Sequence, residues 1–142
     1  MNRVWTVLRI GLGLLFVLAS LDKIAHPALF AQAVANYRIL PAALVNPAAI
    51  LLPWTEAVAG LALACGVMSR GASLILAGLM ATFSAAIAAN LARGIDVACG
   101  CFTVDPLAVP DMRFAIGRDA AILLLALVVL WRTFREAGRP RP

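Results

Sequence analysis

Long apolar runs alternate with short polar connectors along this chain of 142 residues. Four runs stand out, over residues 4–22, 43–67, 71–92 and 114–132. Each is close to the ~20 residues that a helix needs to cross a hydrocarbon core. Backbone polar groups in lipid must be paired internally, and runs this long suit helices rather than barrel strands. The pattern predicts an all-α, four-helix transmembrane bundle, one integral membrane domain over residues 1–142. Small residues recur inside the runs, among them Gly11, Gly13, Gly60, Ala64, Gly78, Ala85 and Ala89. They let helix backbones approach closely, which favours a compact bundle.

The connectors differ in length. Residues 22–42 form a long loop with a short amphipathic piece suited to the membrane interface. Residues 68–70, Met-Ser-Arg, form a tight turn, and residues 93–113 form a second long loop. Four spans place both long loops at one face and both termini, with the tight turn, at the other. The first run also has signal-peptide features: Arg3, an apolar stretch and small residues near Ala19 and Ser20. Three further runs, and Arg9 inside the first, favour a retained span.

Composition agrees with lipid as the solvent. The chain is 63% hydrophobic and 13% charged, against about half and a quarter in soluble domains. The formal net charge of +5 lies at the face of the termini, where Arg3, Arg70, Arg132, Arg135, Arg139 and Arg141 oppose only Glu136. Cationic residues mark the cytoplasmic side, so the expected topology has both termini inside and both long loops outside. No basic cluster with interleaved aromatics appears, which argues against a nucleic-acid partner.

The outer loop then holds "DVACGCF", residues 96–102, with Cys99 and Cys101 one glycine apart. An oxidising compartment favours disulfide chemistry there. A Cys-Gly-Cys bridge closes a very small ring, which is strained and easily reduced. It encloses so little chain that its entropic stabilisation is small. A redox-active pair is the favoured reading; an inert bridge, or two packed thiols, is the bland one. A metal site with His26 as third ligand is weaker, because no fourth ligand is evident, and no metal is expected. Cys65 lies near the other end of its span and reads as a small buried apolar residue.

Charges within spans are costly and tend to be paired. Counted from the outer ends, Arg9 and Glu56 lie at equal depth, which predicts a structural ion pair between them. Pro47 and Pro53 are positioned to kink the same span. A second polar group gathers near the outer ends: Asp22, Lys23, His26, Asn90, Arg93, Asp96, Arg118 and Asp119. Arg93 and Arg118 are candidates to stabilise a thiolate at Cys99 or Cys101. Asp119 and Asp22 are candidates to orient those cations or move protons.

The stretches "RIGLGLLFVLASLDKIAHP", "NYRILP", "PWTEAVAG", "RGIDVACGCF" and "GRDAAILLLA" resemble the MauE family of methylamine-utilisation proteins, within the wider DoxX-like group of four-helix membrane proteins. The resemblance covers roughly residues 5–130. It implies a multi-pass protein of the bacterial inner membrane that is linked to thiol–disulfide chemistry, with a periplasmic thioredoxin-like partner and a role in maturing periplasmic proteins. The DoxX-like side of the resemblance implies a quinone, for which Trp54, Glu56, Asp22 and His26 are the candidate cavity residues. The expected function is a membrane thiol–disulfide oxidoreductase built on Cys99, Cys101, Arg118, Asp119 and Arg93. The competing expectation is a non-catalytic subunit or assembly scaffold whose cysteine pair is structural.

Overall fold

The computed structural model describes residues 2–95 and 111–138. Cys99, Cys101 and Asp96 lie outside the described residues. Five helices follow in order: α1 Arg3–Ala25, α2 Pro27–Asn36, α3 Ala42–Cys65, α4 Ser69–Ala92 and α5 Met112–Ala137. Among the described residues there are no strands. α1, α3, α4 and α5 are each long and apolar enough to cross a membrane. The predicted all-α, four-span architecture is therefore present, with α2 added between the first two spans.

Each long helix presents one stripe to the others. Leu12 and Phe16 of α1, Ala59 and Leu63 of α3, Leu76 and Met80 of α4, and Ala126 and Val129 of α5 form a shared core. The opposite faces carry exposed Val, Leu, Ile and Trp, including Val7, Leu18, Val58, Ile75, Leu124 and Trp131. Continuous apolar exposure of this kind belongs to a surface solvated by lipid. A polar contact between described residues ties the last two spans: the Ser73 and Thr133 hydroxyls are 3.2 Å apart.

The glycines divide into two kinds. A Cβ on Gly13 would come within 2.5 Å of the Gly60 carbonyl oxygen, and one on Gly60 within 2.8 Å of the Gly13 oxygen. α1 and α3 therefore touch backbone to backbone, as the small-residue pattern implies. Gly11 and Gly78 have nothing within reach of an added Cβ, so their lack of a side chain serves no close contact. α3 ends at Gly66, whose φ of 78° is left-handed. The N–H groups of Val67 and Gly66 donate back to the Ala62 and Leu63 carbonyls in a Schellman-type stop. The tight turn thus comes slightly earlier than residues 68–70, and Ser69 already opens α4.

Two elements depart from the sequence reading. The connector 22–42 is mostly helical: α1 runs on to Ala25, and α2 packs Phe30 and Val34 against Ala49 of α3. Cys65, expected to be buried, is a free exposed thiol at the last residue of α3. The α3 stripe runs through Gly60 and Leu63, and Cys65 falls off it.

Candidate functional site: a polar cluster at the loop end

Follow the buried stripes toward the end where α4 leads into the 96–110 connector. α1 buries Leu12, Phe16, Ala19 and then Lys23. α3 buries Leu63, Gly60, then Glu56 and Pro53. α4 buries Leu76, Met80, Ile87 and then Asn90. On α5, Val129 and Ala126 precede Asp119 and Ala115. Each spanning helix thus delivers a polar side chain to the interior at this end, and α1 buries Ser20 as well as Lys23. Lys23, Glu56, Asn90 and Asp119 are all at most 3% exposed.

Lys23 Nζ and Glu56 Oε2 are 2.8 Å apart, a direct charge-assisted hydrogen bond. Side chains lean toward the N-terminus of their own helix. α1 and α3 are antiparallel, so Lys23 leans down and Glu56 leans up, and the two meet. The Phe30 and Phe83 rings flank the ammonium at 5.5 and 5.4 Å. Aromatic faces stabilise a cation, and here they also keep lipid and water from it. The expected Arg9–Glu56 pair is therefore replaced. Equal depth requires α3 to start level with the end of α1, but it begins well beyond that level. Residues 42 to 56 rise about 21 Å, and α2 covers much of that extra length. Glu56 therefore sits beside the last turns of α1, while Arg9 lies against Gly66 at the other end of α3.

Asn90 is fully buried, and neither its amide nitrogen nor its oxygen has a hydrogen-bond partner among the described residues. Buried polar groups are rarely left so. Asp119 accepts from Arg118, whose Nε and Nη2 lie 3.1 and 3.0 Å from the same carboxylate oxygen. Asp119 is buried, whereas the Arg118 side chain is 28% exposed and extends outward from it. Asp111, which precedes α5, caps it by accepting from the Arg113 N–H. Asp119 therefore lies about two turns inside the helix from the point where the cysteine-bearing connector enters it.

The sequence of residues 1–132 matches the model of the family described as methylamine utilisation protein MauE. The chain is 36% identical to the MauE protein of Paracoccus denitrificans over 86% of its own length and 66% of that protein. It is 35% identical to MauE of Methylorubrum extorquens over 90% of its length and 69% of that protein. With MauE of Methylophilus methylotrophus it shares 39% identity over 62% of its length and 47% of that protein. This chain belongs to the MauE family. It spans about two-thirds of the first of these curated relatives. No solved structure matches it significantly.

In this MauE-family chain the expected site residues are only partly gathered. Arg118 and Asp119 stand together. Arg93 is the exposed C-cap residue of α4, before the connector. Asp22 and His26 form a one-turn pair on the surface, with Nδ1 of His26 3.5 Å from Asp22 Oδ1. Trp54 is 57% exposed on the outside of the bundle, where it lines a groove with Val58 and Ile75. Glu56, two residues on and so about half a turn round α3, points inward to Lys23. The four residues proposed for a quinone cavity are thus placed apart: Trp54 on the outside of the bundle, Glu56 in its interior, and Asp22 with His26 at the surface. Among the described residues there is no cluster of three or more metal-ligating side chains.

Lys23 and Asn90 are the members of the polar group that the sequence assigns no chemical role and the structure buries. Both continue an apolar stripe at helical spacing, Lys23 after Leu12, Phe16 and Ala19, and Asn90 after Met80 and Ile87. A polar residue on the core face of a span is the signal that points to them.

Proposed function

We propose that this MauE-family membrane protein acts in methylamine utilisation as a thiol–disulfide redox protein of the bacterial inner membrane. The termini lie inside, and the 96–110 connector faces the periplasm. Cys99 and Cys101 exchange with a thioredoxin-like partner. A thiolate on one side attacks a sulfur of the other side's disulfide, and a mixed disulfide forms as the first S–S bond breaks. The remaining thiolate of the attacking pair then displaces the partner. Two electrons move from dithiol to disulfide, and the protons follow the thiolates. In this reading Arg118 lowers the cost of the thiolate, and Asp119 holds the guanidinium in place. The Lys23–Glu56 pair holds α1 and α3 in register beneath them.

The observation that carries this reading is the buried Asp119 with its partly exposed partner Arg118, about two turns into α5 from the end at which the Cys-Gly-Cys connector enters. A charged pair at that position is costly inside a span unless it serves something. The experiment is trapping in native membranes. Cys99→Ser and Cys101→Ser each leave one thiol, and at least one variant should accumulate a mixed disulfide with a periplasmic protein, released by reductant. If neither variant accumulates an adduct while the methylamine pathway is induced, the redox proposal fails and a structural cysteine pair in an assembly subunit replaces it.

A further inference from the structure

The opposite end of the bundle holds a site that the redox proposal does not use. A cavity of about 480 Å³ opens there, lined by Arg9, Arg70, Trp5, Ser69 and Thr133, with Glu136 as its carboxylate. The Arg9 guanidinium lies across Gly66, where an added Cβ would come within 2.9 Å of Nη2. Its Nε is buried with no hydrogen-bond partner among the described residues. Among those residues no ion pair joins Arg9 or Arg70 to Glu136. α4 begins in the same cavity, and its N-cap, Met68, provides no side-chain cap. The N–H groups of Ser69, Arg70 and Gly71 therefore lack intrahelical acceptors and favour an anion.

Met68 and Gly71 also line a second groove of about 450 Å³, which runs between α3 and α4 past Ala62, Val58 and Ile75 to Trp54. From residue 62 to residue 54 it rises about 12 Å along α3. An anion-seeking cavity thus continues directly into an apolar trough on the lipid-facing surface. That is the shape of an amphiphile with a charged head and a hydrocarbon chain. Basic pockets between spans recognise anionic lipid headgroups by this chemistry. We propose that this is a binding site for an anionic phospholipid. Its phosphate sits between Arg9, Arg70 and the first turn of α4, and an acyl chain fills the groove from Gly71 to Trp54. Glu136 bounds the cavity and disfavours a more highly charged free anion.

The test uses the full chain, delipidated in a neutral detergent. Binding of phosphatidylglycerol and of phosphatidylcholine with the same acyl chains is measured by native mass spectrometry. The wild type should prefer phosphatidylglycerol. Arg70→Gln and Arg9→Gln should each reduce that preference about fivefold, the effect of one surface cation on an anionic lipid. Val58→Trp should weaken both lipids together by filling the groove. Inorganic phosphate should not displace phosphatidylglycerol. Arg70 is exposed, so its variant folds even where Arg9→Gln does not. Equal binding of the two lipids, an unchanged preference in Arg70→Gln, or displacement by inorganic phosphate overturns the proposal.

Discussion

Removing one partner of the Lys23–Glu56 pair leaves the other as an uncompensated charge in the bundle interior. Lys23 is 1% exposed and Glu56 3% exposed, with 2.8 Å between their charged atoms. An exposed pair of the same geometry would contribute about 0–1 kcal/mol. A buried one costs about 3–5 kcal/mol when a single partner is lost. Glu56→Leu should therefore lower stability by an amount in that range, as should Lys23→Met. The double variant removes both charges and puts hydrocarbon between Phe30 and Phe83. It should recover at least half of the summed loss, because replacing a whole buried pair is often close to neutral. The assay is the midpoint of an SDS titration of the purified protein in mixed micelles, followed by circular dichroism. Arg9→Gln serves as the register control. It should be additive with Glu56→Leu, since Arg9 lies at the far end of α3. Additive losses for Lys23 and Glu56, or coupling between Arg9 and Glu56, would refute the packing described for α1 and α3.

Other outcomes follow from single contacts. Gly13→Val should push α1 off Gly60 and Ala64, at a cost of about 1–3 kcal/mol, while Gly78→Val, with open space around it, should stay close to wild type in the same titration. Asn90→Leu should match or exceed wild-type stability, because a buried amide without partners contributes little and costs its desolvation; a marked loss would mean that its polar atoms are satisfied. Arg118→Ala should slow alkylation of the reduced cysteines near neutral pH but not at alkaline pH, where the thiolate forms regardless, and Arg118→Lys should retain part of the rate; coincident pH–rate curves would remove Arg118 from the chemistry. A membrane-impermeant maleimide applied to intact, pre-reduced cells should label Cys99 or Cys101, and labelling only after lysis would reverse the topology.

The four spans could be read directly because twenty-odd apolar residues in a row have few other uses. Their close packing was legible at Gly13 and Gly60, but Gly11 and Gly78 carry the same signal and face open space. Sequence reports that a glycine permits contact, while the helix face decides whether a neighbour comes. The partner of Glu56 was misjudged for a related reason. Depth along a span can be counted only from a known starting level, and α2 shifts that level by lifting the start of α3 beyond the end of α1. The stripe Leu12, Phe16, Ala19, Lys23 held the right answer, since it needs only helical spacing and no assumption about the connector. Arg118 and Asp119 could be read as a unit because adjacent opposite charges in an apolar run leave few alternatives. Asn90 became conspicuous only when the structure showed it buried and without partners among the described residues.

The chemistry turns on whether Cys99 and Cys101 change oxidation state together in the folded protein. Membranes containing Cys65→Ala, which leaves these two as the remaining thiols, can be equilibrated with a thioredoxin-like dithiol–disulfide couple over a range of ratios. Quenching with a heavy maleimide and measuring the mass then counts the free thiols. The redox reading predicts a two-electron transition in which both thiols appear together, reversible on reoxidation, at ratios that leave the fold intact. Two thiols that stay free throughout, or a disulfide that opens only when the protein unfolds, would contradict it.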